Sequence, residues 1–268
     1  MNKKSSADLE EAARRLRDAR ISNLPTTPIR HLLGDNDIVA AYAVQRINTD
    51  LRISAGERLV GRKIGLTSAA TQKQLGISEC DYGVVFESDI KREDEEIQAS
   101  QVIAPMVEGE IAFVMANDLK QESPTWADVA RNVAYLQPAI EIVDSRIANW
   151  DIGIVDTIAD NASGQFIVLG GTPTLLNKFD LELCGMRLDV NGRMASSGIG
   201  AACLGSPMNA VVWLARRMAQ AGLPIRAGDI IMSGALGPFV KVSLGDAVSV
   251  RIAGLGQVQT NFARGATS

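Results

Sequence analysis

Histidine is almost missing from this chain. Of 268 residues one is histidine, His31 in PIRHLLG. A histidine triad or zinc cluster would rest on that one side chain, and a loop or surface role suits it better. Acid–base chemistry must therefore use Asp, Glu, Lys or Tyr. Cysteine is scarce as well. Cys80, Cys184 and Cys203 stand far apart, with no CxxC and no zinc spacing. No disulfide framework is expected, and a reduced, cytoplasmic setting is. No apolar run approaches the roughly 18 residues of a membrane span. The stretch MNKKSSADLEEAARRLRDAR is polar and charged where a signal peptide would be apolar. There is no excess of positive charge either: the net charge is −4, which argues against nucleic acid as a partner. Phosphate-binding glycine patterns are lacking. GIGAACLG offers Gly198 and Gly200 but has Cys203 where GxGxxG needs its third glycine, and no GxxxxGK[ST] occurs.

What remains is an ordinary globular composition, 46% hydrophobic and 22% charged, with length enough for one large or two small domains. Ser5 with Asp8 marks a helix start, and acids at Asp8, Glu10 and Glu11 precede bases at Arg14, Arg15 and Arg17. ISNLPTTPIR is a proline-punctuated connector. A second helix follows Asp37, with Ala40, Val44, Ile47 and Leu51 on one face. Near Glu57 the pattern changes to short apolar runs cut by Gly and Asp. The expected division is a helical part, 1–56, and a strand-rich part, 57–268. In the latter, Trp126, Val129, Val133 and Leu136 predict a helix stopped by Pro138. Ser206-Pro207 predicts the start of another, ending near Gly222. Asn191-Gly192 predicts a hairpin turn. DIIMSG, FVKVSL, AVSVRIAG and QVQTNF read as strands in series. Strands in series with few helices argue for an α+β fold.

The most informative stretch is PMVEGEIAFVM, Pro105–Met115. Side chains alternate along a strand, so Glu108 and Glu110 share one face, opposite Val107, Ile111 and Phe113. Two like charges in apolar surroundings resist ionisation, and a hard cation such as Mg²⁺, Ca²⁺ or Mn²⁺ is the simplest compensation. Such a pattern also occurs on plain solvated sheet faces. A third carboxylate, Glu141, lies in a similar setting, LQPAIEIVDSR, with Asp144 and Arg146 nearby. Lys63 in VGRKIGLTS is either a surface lysine or a half-buried one whose pKa burial would lower. Asp81 in ECDYGVVF and the group Asp160, Asn161 and Ser163 in DNASG suit turn chemistry. Trp126, Trp150 and Trp213 read as core.

Four motifs in order, VGRKIGLTSAATQKQLGISECDYGVVF, PMVEGEIAFVM, PAIEIVDSRIANWDIGIVDTIADNASG and SGALGPFVKV, resemble the 2-keto-4-pentenoate hydratase family of the fumarylacetoacetate hydrolase-like group. The resemblance runs from the N-terminal helices to about Phe262. It implies a mixed-strand β-roll core with surrounding helices, and Mg²⁺ or Mn²⁺ on carboxylates matching Glu108, Glu110 and Glu141. An acid–base lysine would match Lys63 and an aspartate near the reacting carbons Asp81. Ser163 and the backbone around Leu66 and Thr67 would line the substrate pocket. Gly109 stands where the family often has alanine. The implied substrate is a 2-hydroxy-dienoate. An anionic substrate beside three carboxylates needs a nearby cation, which Lys63 or Arg62 could supply. The sister activity, 4-oxalocrotonate decarboxylase, would use the same metal and enolate. A third alternative is a non-enzymatic subunit that stabilises such a decarboxylase. By analogy the family also implies a homo-oligomer, often built on pentamers.

Overall fold

The computed structural model describes residues 4–264. Three helices come first: α1 (Ser6–Ser22), α2 (Arg30–Leu33) and α3 (Ile38–Ser54). The Ser5 hydroxyl accepts from Asp8 N at 3.2 Å and starts α1. Asp37 does the same for α3, accepting from Ala40 N at 2.9 Å. Strand β1 (Leu59–Gly65) follows, then α4 (Ala69–Leu75), β2 (Asp81–Phe86), β3 (Ile90–Lys91), β4 (Glu96–Ile97) and β5 (Met106–Met115). Next come α5 (Trp126–Arg131), β6 (Val133–Val143), α6 (Ile154–Ala159) and β7 (Gly164–Leu169). The last part holds β8 (Gly185–Val190), β9 (Arg193–Ile199), α7 (Pro207–Gln220), β10 (Ile230–Met232), β11 (Val240–Lys241), β12 (Ala247–Ile252) and β13 (Gly256–Phe262).

The strands form two sheets. The larger runs β2-β1-β10-β5-β6-β7-β3, with β11 also on β5; the smaller runs β4-β13-β12-β8-β9. Parallel and antiparallel pairs mix: β1 with β10 is parallel, β5 with β6 antiparallel. The larger sheet rolls until β2 touches β7. One of its faces packs on the smaller sheet and α7 through a large core that includes Ile64, Ile111, Phe113, Ile140 and Val250. The inner face of the roll is filled at one end by Val85, Ala112, Ala139, Ile167 and Met232. The expected α+β roll is what forms. Among the described residues no helix is long and apolar enough to cross a membrane, and the three cysteines are free.

Three local expectations change. The helix that begins at Trp126 ends at Arg131, and Val133–Val143 is a strand. Val133, Leu136 and Pro138 therefore lie in the central strand β6. Proline is tolerated there because of where its nitrogen points. Leu136 and Pro138 direct their backbone groups away from β5: Leu136 N donates to Thr174 O at 2.8 Å, and the Pro138 carbonyl accepts from Gly170 N at 2.8 Å. β7 has already ended at Leu169, so no ladder bond is lost. Trp126 is not core but 51% exposed. Ser206 stands at the N-cap of α7, with Pro207 at the first helical position, but its hydroxyl makes no capping bond. The Asn191-Gly192 hairpin forms as expected, with φ of 52° and 73°, joining β8 to β9.

The N-terminal helices are tied to the roll by polar contacts as well as by an apolar core that includes Ile29, Leu33, Val44, Val155 and Ile158. Gln45 Nε2 donates to Tyr82 O and Ile158 O, both at 2.9 Å. Asp156 is fully buried. Its Oδ1 accepts from Ile29 N and Arg30 N at 2.9 Å, and its Oδ2 accepts from the Arg30 guanidinium at 2.6 Å. Replacing Asp156 leaves buried N–H groups and a guanidinium without an acceptor. Asp156→Ala is expected to cost about 3 kcal/mol of stability, seen as a lower denaturant midpoint; an unchanged midpoint would refute this anchoring role.

Candidate active site

The inner face of the roll carries charge at the end opposite its apolar plug. Strand period puts Glu108 and Glu110 on this face of β5. The β5–β6 register sets Glu108 directly opposite Glu141 and Glu110 opposite Ala139. All three carboxylates are buried, at 8%, 0% and 1% exposure. One oxygen from each lies within 4.8 Å of the others. Burial pushes the Glu108 carboxyl up to about 8, and the Glu141 charge adds to this. Glu110 is held well above the carboxylate range by burial, then by Glu141 and Glu108.

Lys63 enters from β1. It is 3% exposed, and its Nζ lies 3.0 Å from Glu141 Oε1 and donates to the Ala162 carbonyl at 2.7 Å. Burial works against its charge, but Glu141, Asp81, Glu108 and Glu110 together raise its pKa above the ordinary lysine value. Of the two alternatives open in the sequence, a surface lysine or a half-buried one with a lowered pKa, neither forms: Lys63 is buried, and the four acids around it outweigh the effect of burial. Arg62 cannot share the work. Alternation along β1 turns it to the opposite face, where its guanidinium donates to the Gly61 carbonyl at 3.0 Å.

Asp81, the first residue of β2, faces Gly65 across the β1–β2 pair. Its Oδ2 accepts from the Thr157 hydroxyl at 2.9 Å. Burial raises its pKa, while Lys63 and the Thr157 bond oppose the rise. A Cβ on Gly65 would sit 2.1 Å from Asp81 Oδ1 and 3.5 Å from Lys63 Nζ. Glycine there is what admits the carboxylate.

The DNASG loop is more than a turn. Asn161, Ala162 and Ser163 all have left-handed φ, at 59°, 51° and 51°, a costly run for residues with a Cβ. It is held from both ends. Asn161 clamps the Val84 backbone, accepting from its N–H at 2.7 Å and donating to its carbonyl at 2.9 Å. Asp160 accepts from the Arg146 backbone and guanidinium at 3.0 and 2.5 Å. The run aims the Ala162 carbonyl at Lys63 and places Ser163 on the cavity wall.

Lys63, Asp81, Glu108, Leu66 and Ser163 line one cavity of about 30 Å³. Thr67 lies beside it instead, against Gly234, whose N–H donates to Glu110 Oε2 at 2.8 Å. The backbone carbonyls of Leu66 and Thr67 are already engaged, by Gln72 and Cys80 and by Leu204 respectively. Trp150 and Phe239 close the cavity's apolar end, stacked with ring centroids 6.3 Å apart. Asn149 and Trp150 have left-handed φ of 61° and 54°, and the indole N–H is tied to the Ala104 carbonyl at 2.9 Å. The sequence pattern suggests core for Trp150 and a plain turn for Asn161, and gives no sign of Phe239, Thr157 or Gly65 as site residues. Only Gly65, between Ile64 and Leu66, carried a local hint of close backbone packing.

The donor set fits a hard divalent ion. Glu110 Oε1 and Glu141 Oε2 are buried with no hydrogen-bond partner, and so are the hydroxyls of Thr67 and Ser163. Five such atoms occur among the described residues, and these are four of them. Buried oxygens normally have partners, so this concentration marks a place built for ligands.

The chain as a whole is similar to known proteins. Residues 78–263 match the fumarylacetoacetate (FAA) hydrolase C-terminal family, and the chain belongs to that family. Within it, the chain groups with the 2-keto-4-pentenoate hydratases. It is 51% identical over 253 residues to a 2-keto-4-pentenoate hydratase of Paraburkholderia xenovorans, covering 94% of each chain. It is 54% identical over 256 residues to the TodF product hydratase of Pseudomonas putida F1, covering 96% of each. Among solved structures, 4-oxalocrotonate decarboxylase from Pseudomonas putida G7, complexed with magnesium and adipate, superposes with a TM-score of 0.91 at 30% identity. That match covers 96% of this chain and 98% of the other.

Proposed function

We propose that this protein is a carbon–oxygen lyase that hydrates 2-hydroxypenta-2,4-dienoate to 4-hydroxy-2-oxopentanoate, as a step in the breakdown of aromatic ring-cleavage products. The observation that carries this reading is the cavity's division into two ends. One end has Glu108, Asp81 and Lys63; the other is apolar, formed by residues such as Leu75, Val143, Trp150 and Phe239. Among the described residues lining it, Lys63 is the only cation. A dienoate with an uncharged tail suits such a cavity. The decarboxylase substrate would put a second carboxylate against the aromatic pair, with no base to receive it.

Glu108, Glu110 and Glu141 are the residues to hold Mg²⁺ or Mn²⁺. Such an ion, when bound, supplies Lewis acidity for the 2-oxo acid and its enolate. The protein's own groups do the rest. Ketonisation moves a proton from the 2-hydroxyl to C5; water then adds at C4 and a proton is delivered to C3. In this reading Asp81 carries these protons, supported by the Thr157 bond to its Oδ2 and the close approach of its Oδ1 to Gly65. Its raised pKa brings it nearer to neutral exchange. Lys63 uses two of its three donors on Ala162 and Glu141, which leaves one for the substrate's anionic oxygens. The Ser163 hydroxyl, without a partner in the cavity wall, orients the carboxylate. A void of about 30 Å³ holds about two waters, so the substrate displaces lining side chains as it enters. Trp150 and Phe239 then shield the reacting carbons from bulk water.

In the same reading, residues 1–56 are a helical cover and 57–268 the catalytic part, and the protein works in the cytoplasm as a homo-oligomer. Exposed apolar residues on and beside the cover, such as Val39 at 77% and Leu24 at 68%, supply surface for association.

With Mg²⁺ present, the protein is expected to consume 2-hydroxypenta-2,4-dienoate faster than spontaneous ketonisation, followed as loss of dienol absorbance. Decay at the spontaneous rate would sink the hydratase reading, and release of CO₂ from 2-oxo-3-hexenedioate would favour the decarboxylase. Glu108→Gln is expected to lose Mg²⁺ binding, read by calorimetry, together with turnover; retained affinity would remove Glu108 as a ligand. Gly65→Ala is expected to displace Asp81 and cost about 100-fold in kcat while Mg²⁺ affinity stays. Normal turnover in that variant would show that the fit of Asp81 against Gly65 is not needed.

A further inference from the structure

A second cavity, of about 520 Å³, lies outside the roll, between helices α1 and α3 and the seam where β2 meets β7. Small-molecule pockets have this size, roughly 300–1,000 Å³. Part of its wall is apolar, from Leu16 and Leu51, with the Phe86 ring behind the Arg52 guanidinium, which lies 3.8 Å over it. The rest is rich in charge. Four arginines line it against three carboxylates. Asp89 is shared, lying 2.8 Å from Arg20 and 2.9 Å from Arg52. Arg52 also takes Glu57, and Arg146 is paired with Asp160. Arg17 meets no carboxylate among the described residues; its guanidinium donates to Asn48 Oδ1 at 3.1 Å. Burial lowers the Arg20 pKa, and the charges of Arg52 and Arg146 push the same way against the pull of Asp89. The cavity thus holds guanidinium groups close enough to repel and one that lacks a counter-charge.

This cavity also reaches the back of the catalytic loop. Asp160 and Asn161 form part of its wall. A narrow void in the seam, bordered by Asn161, Gln165, Lys63 and Glu141, continues from it towards the active site. A ligand there would press on the outside of the loop whose inside holds Lys63.

We propose that this cavity is an accessory site for a small organic monocarboxylate with an apolar body, its head on Arg17 and its body against Leu16 and Leu51, coupled to turnover through the loop Asp160–Ser163. The carboxylate supplies the missing charge and accepts a guanidinium pair of hydrogen bonds. The apolar body matches the walls, and an inorganic anion would leave them bare.

The test uses the full-length, Mg²⁺-loaded protein and benzoate as the probe, with benzamide as its uncharged counterpart. Calorimetry is expected to show benzoate binding and none with benzamide. Arg17→Glu, on a partly exposed helix face, is expected to weaken it by about tenfold or more. Leu51→Trp, which fills the cavity from its exposed rim, should do the same. Glu108→Gln should leave benzoate binding intact. No heat with benzoate, heat that survives both Arg17→Glu and Leu51→Trp, or heat lost with Glu108→Gln would overturn the site. The kinetic arm rests on the hydratase reading; the binding arm does not. In it, benzoate is expected to change kcat at saturating dienoate. Saturation of the site with kcat unchanged, or purely competitive inhibition, would overturn the coupling.

Discussion

Three carboxylates confined in a dry space with one ammonium cannot all stay charged unaided. Glu108, Glu110 and Glu141 repel one another across β5 and β6, and Lys63 alone offsets part of that charge. Much of the surrounding structure can be traced to this constraint. The roll is needed because only an inward-facing strand surface brings side chains from β1, β2, β5 and β6 to one point. The Gly234 amide on Glu110 and the Ala162 carbonyl on Lys63 hold the remaining polar atoms where a ligand can use the rest. Buried charge of this kind is expensive for stability, and the extensive apolar core between the two sheets is what the fold sets against it.

The charge pattern also explains the cavity's asymmetry. Beyond Lys63 and Asp81 the walls turn apolar, ending in the Trp150–Phe239 stack. A carbanion-like intermediate needs polar stabilisation at its C1–C2 end and protection from stray protons at the other. In the proposed reaction the charged groups are to supply the first and the aromatic surface the second. Trp150 reaches its place only because two successive residues take left-handed backbone, an uncommon choice for a bulky side chain.

How much of this could be read from the sequence depends on the range of the interaction. Period-two alternation was enough to put Glu108 and Glu110 together. It said nothing of Glu141, whose place opposite Glu108 is a matter of strand register; its apolar setting made it a candidate, and the likeness to a known family joined it to the pair. Val133 and Leu136 mimicked a helical stripe, and Pro138 mimicked a stop, because spacing cannot show which way a proline nitrogen faces. Lys63 was judged by its apolar neighbours in sequence, whereas four acids distant along the chain set its charge state. Arg62, its next neighbour, shares none of that environment. The clamp of Asn161 on Val84 and the bond from Thr157 to Asp81 span 77 and 76 residues, and no local pattern announces them.

The run Asn161–Ser163 has one more consequence. Its left-handed backbone is held by Val84 and Arg146, from outside the active-site cavity. A wall that is already rigid has little conformational freedom to lose when substrate arrives. Binding energy that a looser loop would spend on ordering itself stays available for displacing water and the aromatic rim. The strain in three residues thus acts as preorganisation: the reorganisation cost is met during folding, once, and not again in each catalytic cycle.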